Sequence, residues 1–242
     1  MLDLELPAGR TRNTPVVVLI HSGSWSGGDK EDFPLMDIRV FTERGYATAN
    51  INYRLASAEA NIHDPDLSDD INAALDFVAA RAEEYQVSRT RFGVVGYSAG
   101  GHLALLAGYK YDPTGRIRAV ASLAGPTDLN DPLFLAVPTA RETIENYLGV
   151  TQEEAPSRWT DASPVSVATA SSSPTILVHG LLDFLVPPPM IQRLHERLLI
   201  LRVPAQYRLI SLYSHELGTF PGAGFPAQVW GPVLDWFDRY VK

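Results

Sequence analysis

Ser98 lies in Gly96-Tyr97-Ser98-Ala99-Gly100-Gly101-His102. A serine hydroxyl becomes a useful nucleophile only when a base takes its proton and an anion site receives the developing charge. The Gly-x-Ser-x-Gly spacing suits both needs, because small neighbours permit the sharp, strained turn that lifts the hydroxyl out of the backbone. Such pentapeptides also occur in ordinary turns, so the flanks decide. An apolar strand, Phe92 to Val95, precedes the serine, and His102-Leu-Ala-Leu-Leu-Ala107 favours helix after it. The free N–H groups and positive dipole end of that helix then face Ser98.

Six histidines could supply the base. His215, in Tyr213-Ser214-His215-Glu216 just past the last expected strand, is the best placed. His21 and His179 end strands and read as braces, for the glycine-rich loop and the acid loop respectively. His102 reads as a packing residue of the elbow helix, and His63 and His195 as loop and helix-surface residues. No pair has the helical spacing of a metal site. The acid that orients the base is assigned to Asp183, in His179-Gly180-Leu181-Leu182-Asp183-Phe184-Leu185-Val186-Pro187, with Asp128 after Gly125-Pro126 as the alternative. The order serine, acid, histidine is the one expected on an α/β sheet.

An oxyanion site needs two or more N–H groups aimed at the developing charge. One is expected from Ala99. The other is expected from His21-Ser22-Gly23-Ser24-Trp25, at Gly23 or Ser24. Trp25 and Tyr97 are candidate substrate-pocket residues, and packing of the loop suits Trp25 equally well.

The elements that position these residues alternate. Strands are expected at 15–20, 46–52, 91–96, 117–123, 174–179 and 205–212, as β-branched or apolar runs typical of a parallel sheet buried on both faces. At most one edge strand fits before Pro7. Helices are expected at 34–44, 67–85, after Ser98, at 188–201 and at 229–241, the second carrying Ile71, Ala74, Leu75 and Val78 at helical spacing. Residues 127–173 lack strand-like runs. They suggest a small cap with two or three helical pieces around Leu133, Ile144 and Glu153, and a loop with Pro156 and Pro164. The chain thus reads as one α/β domain over residues 1–242 with a doubly wound, mostly parallel sheet. Ligands of such sheets sit at the carboxyl ends of the strands, where all the candidate loops emerge.

Composition narrows the function further. The 242 residues are 45% hydrophobic and 20% charged, with net charge −8 and no cysteine. The balance is that of a globular domain. Its sign argues against a nucleic-acid partner, and thiolate metal sites, cysteine nucleophiles and disulfides are excluded. No apolar run reaches the length of a membrane span. Met1 to Gly9 lacks the pattern of a signal peptide, which makes the cytoplasm the expected compartment.

These segments together resemble the α/β-hydrolase fold, in the esterase branch of bacterial carboxylesterases, polysaccharide acetyl esterases and hormone-sensitive-lipase-like enzymes. The resemblance is carried by Val18 to Trp25 with Gly28-Asp29-Lys30, by Asn52-Tyr53-Arg54-Leu55, by Gly96 to Leu103, by Ala162-Ser163-Pro164 and by His179 to Pro187. It implies Ser98 as nucleophile, Asp183 as acid, His215 as base and Gly23, Ser24 and Ala99 as oxyanion donors. It further implies a structural role for Tyr53-Arg54. Three departures stand out. His-Gly-Gly-Gly becomes His21-Ser22-Gly23-Ser24, where a Cβ restricts positive φ angles. The base precedes Glu216-Leu217 in place of Gly-Phe, which sets a carboxylate beside it. The first hairpin of the family's sheet is shortened or missing. The expected activity is hydrolysis of short-acyl esters, of small-molecule or carbohydrate alcohols, through an acyl-enzyme and without cofactor or metal. Aryl-formamide hydrolysis and peptide hydrolysis are the alternatives on the same fold, and a non-catalytic binding module is the alternative outside enzymology.

Overall fold

The computed structural model describes residues 1–32, 39–218 and 225–242. The β-branched run after Pro15 becomes β2 (Val16–Ile20), with all five residues buried. It lies beside β3 (Ala47–Ile51) and β4 (Phe92–Tyr97), and the sheet continues through β5 (Ile117–Leu123), β6 (Thr175–Gly180) and β7 (Ala205–Ile210). On the far side of β3 lies β1 (Leu2–Glu5), the edge strand expected before Pro7. The order is β1-β3-β2-β4-β5-β6-β7. β1 runs antiparallel to β3, and every other pairing is parallel. β4 is therefore the central strand.

Alternate residues of each strand feed two cores, as the period-two geometry requires. Val16, Val18, Ile20 and Val94 pack on one face with α2 (Asp66–Ala80), α3 (Ala82–Tyr85), α4 (Ala99–Tyr109) and α9 (Pro188–Ile200). Val17, Leu19 and Val95 pack on the other with α1 (Arg39–Glu43) and α10 (Ala227–Tyr240). Leu67, Ile71, Leu75 and Val78 form the buried stripe of α2.

Three expectations need correction. The helix expected over 67–85 is two helices, interrupted at Arg81, whose backbone (φ −103°, ψ 13°) leaves the helical region. The helix expected at 34–44 is not one of them: its residues 34–38 lie outside the described residues, and the remainder holds α1. In the cap, α5 (Pro132–Leu135) and α6 (Ala140–Leu148) match two of the expected pieces. The segment around Glu153 is instead a turn, closed by Thr151 and Glu154. The prolines read as loop residues start α7 (Pro156–Asp161) and α8 (Pro164–Val167). Proline suits the first helical position, where its missing N–H would have had no partner.

Candidate active site

The elbow is the tightest part of the structure. Ser98 leaves β4 with φ 54° and ψ −120°, a conformation costly for a residue with a Cβ. It is held by hydrogen bonds from Ser98 N to Leu123 O (2.8 Å) and from His102 N to Ser98 O (3.1 Å). The two glycines of the motif are steric necessities. A Cβ on Gly96 would lie 2.0 Å from Gly100 O, and one on Gly100 would lie 2.1 Å from Ile20 O and 2.4 Å from His21 O. Gly100→Ala is therefore expected to cost about 3 kcal/mol or more, read as a lowered denaturant midpoint, because β2 and α4 would have to separate where the oxyanion loop begins.

Asp183 follows β6 and is 3% exposed. Three donors converge on its carboxylate. Oδ1 accepts from Leu185 N (2.9 Å) and Val186 N (2.8 Å). Oδ2 accepts from His215 Nδ1 (2.8 Å), and His179 Nε2, which donates to Val186 O (2.8 Å), lies 2.9 Å from it. Burial alone would raise its pKa, but the two imidazoles against it, His179 and His215, outweigh burial and hold the carboxyl well below the usual carboxylate range. With Nδ1–H committed to Asp183, His215 presents a lone pair at Nε2 to the Ser98 hydroxyl, 2.9 Å away. Ser98, His215 and Asp183 thus meet in the order expected of them. Asp128 is not part of the set: its carboxylate accepts from Asn130 N in a local turn.

The acid and base loops touch because β6 ends in glycine. A Cβ on Gly180 would lie 2.3 Å from both Ser214 O and Tyr213 O, and Leu182 N donates to Tyr213 O (2.9 Å) across the same approach. Tyr97 supports the base loop from below. Its hydroxyl donates to His215 O (3.2 Å) and its ring lies 5.6 Å from the imidazole. It is not among the residues that line the cavity at Ser98. Glu216 turns to the Ser214 hydroxyl, which donates to it. That bond, with a backbone hydrogen bond, holds Glu216 below the ordinary glutamate range.

Ser24, Trp25, Ser98 and Ala99 line a cavity of about 40 Å³ with Pro126, Phe134, Thr139, Ala140, Thr143, Leu185 and Val186. Ala99 N begins α4 and so has no carbonyl of its own helix to bond. Ser24 is the oxyanion-loop candidate that reaches the cavity. Gly23 supports the loop from outside it, its carbonyl accepting from Ser26 N (3.1 Å) and Gly27 N (2.8 Å). Ser24 and Trp25 both take positive φ angles, 52° and 63°, despite their side chains. Contacts of Trp25 hold this conformation. Its indole stacks on Tyr147 of α6 at 4.8 Å, Nε1 donates to His102 Nδ1 (3.2 Å), and its carbonyl accepts from Ala56 N (2.9 Å). Trp25 therefore lines the cavity and packs the loop at once.

His21 and His179 brace, as expected, and His102, expected only to pack, braces as well. His21 Nδ1 donates to Ser22 O (2.7 Å), and its ring stacks on Tyr53, whose hydroxyl donates to His21 O (3.2 Å). Arg54 ties the next loop to Asp66 and Asp70. His179 braces the acid loop, donating from Nε2 to Val186 O (2.8 Å), and its ring nitrogen lies 2.9 Å from the Asp183 carboxylate. His102 accepts from Trp25 and donates through Nε2 to Ala162 O (2.7 Å), joining the oxyanion loop to the cap. Among the described residues no cluster of three or more His, Asp or Glu could hold a metal ion, and no helix is long and apolar enough to cross a membrane.

His102 carries a pH signature. Burial pushes its pKa down to about 4, against the opposing bond to Ala162. Between that value and the ordinary 6.5 the unfolded chain binds a proton that the folded chain does not, so stability falls as pH drops through this window. The shift amounts to about 3 kcal/mol. His102→Gln, whose amide can keep both hydrogen bonds, is expected to flatten this part of the pH dependence of urea unfolding between pH 7 and pH 4. His21, also lowered by burial, contributes in the same direction and remains in the variant.

The cap residues Phe134, Thr139, Ala140 and Thr143 escape sequence reading. No motif marks them, and only the path of the excursion brings them over Ser98. Leu185 and Val186 were within reach, because they follow Asp183 in the acid-loop motif.

Central-strand elbow, acid after β6 and base after β7 define the α/β-hydrolase fold. The chain belongs to the BD-FAE family, whose model matches residues 2–198. It is 26% identical over 234 residues to the esterase LipC of Mycobacterium tuberculosis, covering 88% of this chain and 53% of that protein. The chain spans about half the length of the curated relatives it matches first. Among solved structures it is similar to a bifunctional GH43-CE protein of Bacteroides eggerthii, with TM-score 0.83, 22% identity and coverage of 98% of this chain and 35% of that one. It is also similar to a thermophilic esterase of Thermogutta terrifontis with butyrate bound, with TM-score 0.76, 22% identity and coverage of 98% and 87%. At this identity the two structures support the fold.

Proposed function

We propose that the chain is a serine esterase acting on short-acyl carboxylic esters, with residues 1–242 as one catalytic unit and 127–173 as its cap. The observation that carries the reading is the hydrogen-bonded line from Ser98 Oγ through His215 to Asp183, at 2.9 Å and 2.8 Å. Ser98 attacks the ester carbonyl while His215 Nε2 takes its proton. The carbonyl oxygen becomes an oxyanion beside the N–H groups of Ala99 and Ser24. As the tetrahedral species collapses, the ester C–O bond breaks and His215 returns the proton to the departing alkoxide. Water, deprotonated by His215, then attacks the acyl-enzyme and releases the acid. Asp183 stays ionised throughout and stabilises the imidazolium.

The acyl preference rests on volume. A cavity of about 40 Å³ offers about three water-sized positions at ~10–15 Å³ each, which suits an acetyl or propionyl group. The relative's name, esterase, agrees with this chemistry. The test is turnover of p-nitrophenyl acetate with labelling by an organophosphonate. Rapid hydrolysis with one adduct on Ser98 is expected. A wild-type protein that neither turns over nor labels is a binding module.

A further inference from the structure

Three successive residues of the oxyanion loop, Gly23, Ser24 and Trp25, take positive φ angles of 114°, 52° and 63°. Only the first is a glycine, so the other two hold a conformation that is costly for a residue with a Cβ. Among the described residues neither Ser24 N nor Trp25 N has a hydrogen-bond partner. Successive free N–H groups in a turn suit a developing anion, and relaxation of the loop to negative φ would turn them away. The far end of α6 opposes that relaxation. Tyr147, in its last turn, is fully buried and lies on the Trp25 indole at 4.8 Å, with 16° between the ring planes. The Tyr147 hydroxyl fixes the ring by donating to Asp64 Oδ1 (2.9 Å). Asn146 holds the Trp25 carbonyl through one intermediary. Its Nδ2 donates to Ala56 O and its Oδ1 accepts from Ala58 N (both 3.2 Å), and Ala56 N donates to Trp25 O (2.9 Å). The start of the same helix supplies Ala140 and Thr143 to the Ser98 cavity. One short helix thus walls the acyl site at one end and grips the oxyanion loop at the other.

We propose that Tyr147 is a positioning residue for catalysis: with Asn146 it clamps the loop in the strained form that aims the Ser24 N–H at the oxyanion. The assignment rests on the esterase reading above. Tyr147 is absent from the cavity lining, so its effect falls on the transition state and not on binding of the ester. An interaction realised only in the transition state shows in kcat, with KM nearly constant.

The experiment measures p-nitrophenyl acetate hydrolysis by Tyr147→Leu, Tyr147→Phe and Asn146→Ala, each with and without Ser24→Gly. Removing one oxyanion donor costs about 10²- to 10³-fold in kcat, and a partial displacement costing about 30-fold is expected in Tyr147→Leu. Tyr147→Phe, which keeps the stack, is expected to recover most of that loss. Asn146 is only partly buried, so Asn146→Ala decides the question if Tyr147→Leu does not fold; its expected loss is about fivefold in kcat. Glycine takes positive φ without strain, so each loss is expected to shrink about threefold or more in the Ser24→Gly background. A purely structural role for α6 predicts the same loss in both backgrounds, and that result overturns the proposal. So does a loss carried by KM, because α6 would then act only as a wall of the cavity. Solvent exchange of the Trp25 indole N–H, which donates to His102 Nδ1, needs no turnover. Relative to the Trp236 indole, it is expected to quicken about tenfold in Tyr147→Leu and Asn146→Ala. If no ester is hydrolysed but this quickening is seen, the esterase reading fails and the clamp on the loop stands. If esters are hydrolysed with kcat unchanged in these variants, the clamp fails alone.

Discussion

Ser98→Ala is expected to lower kcat for p-nitrophenyl acetate by about 10⁵ to 10⁶, the scale of nucleophile removal from a concerted serine–histidine–acid set. Residual hydrolysis should come from the oxyanion donors, which the substitution leaves in place. The fold should tolerate the change. Alanine keeps a Cβ at the φ of 54°, so the elbow strain is the same, and His215 Nε2 loses a partner at a half-buried position where water can replace it. A stability change within about 1 kcal/mol is expected. Together the two readouts separate a lost nucleophile from a lost fold. Full activity in the folded variant, or a phosphonate adduct on another residue, would remove Ser98 from the mechanism.

Asp183→Asn should be nearly as damaging to catalysis and much worse for stability. Both carboxylate oxygens accept: Oδ1 from Leu185 N and Val186 N, Oδ2 from His215 Nδ1. An amide can keep an acceptor on only one side. If its NH₂ faces the imidazoles, His215 is driven to the tautomer that carries its proton on Nε2, and Ser98 loses its base. A drop of about 10⁴ in kcat is the expected scale. If the NH₂ faces the loop, two buried backbone donors lose their acceptor. Either way about 3 kcal/mol of stability should be lost at neutral pH. The folded pKa of Asp183 lies below the ordinary 3.8. The wild type therefore has this stabilisation fully above that value and loses it as pH falls towards the depressed one. The gap in unfolding free energy between wild type and variant is predicted to narrow below about pH 4. A constant gap would mean that ionisation of Asp183 does not stabilise the fold.

His179 sets a second imidazole beside the acid. His179 is completely buried, donates to Val186 O (2.8 Å) and lies 2.9 Å from the Asp183 carboxylate. The acid is thereby held even when His215 moves, so flexibility of the base loop need not displace the carboxylate.

What the sequence determined by itself is the local chemistry. Runs such as Val16–Ile20 and Ile117–Leu123 specify buried strands because β-branched side chains fit a pleated, two-sided core. The elbow and acid-loop motifs named Ser98 and Asp183 because each motif's glycines are demanded by backbone within a few ångströms. His215 followed from chain order and from its place after the last strand. Tertiary structure alone decided everything that depends on contact between distant segments. It chose Ser24 over Gly23 as the residue reaching the cavity, moved Tyr97 from the pocket to the support of the base, and showed Trp25 pinned between His102 and Tyr147. It also placed the cap residues 134–143 against the acid loop, which sets the size of the cavity at Ser98. Those features come from the path of an excursion without strands. Its residues bear no periodic pattern that says where their neighbours will be, and a cavity is a property of which segments meet, written in no single one of them.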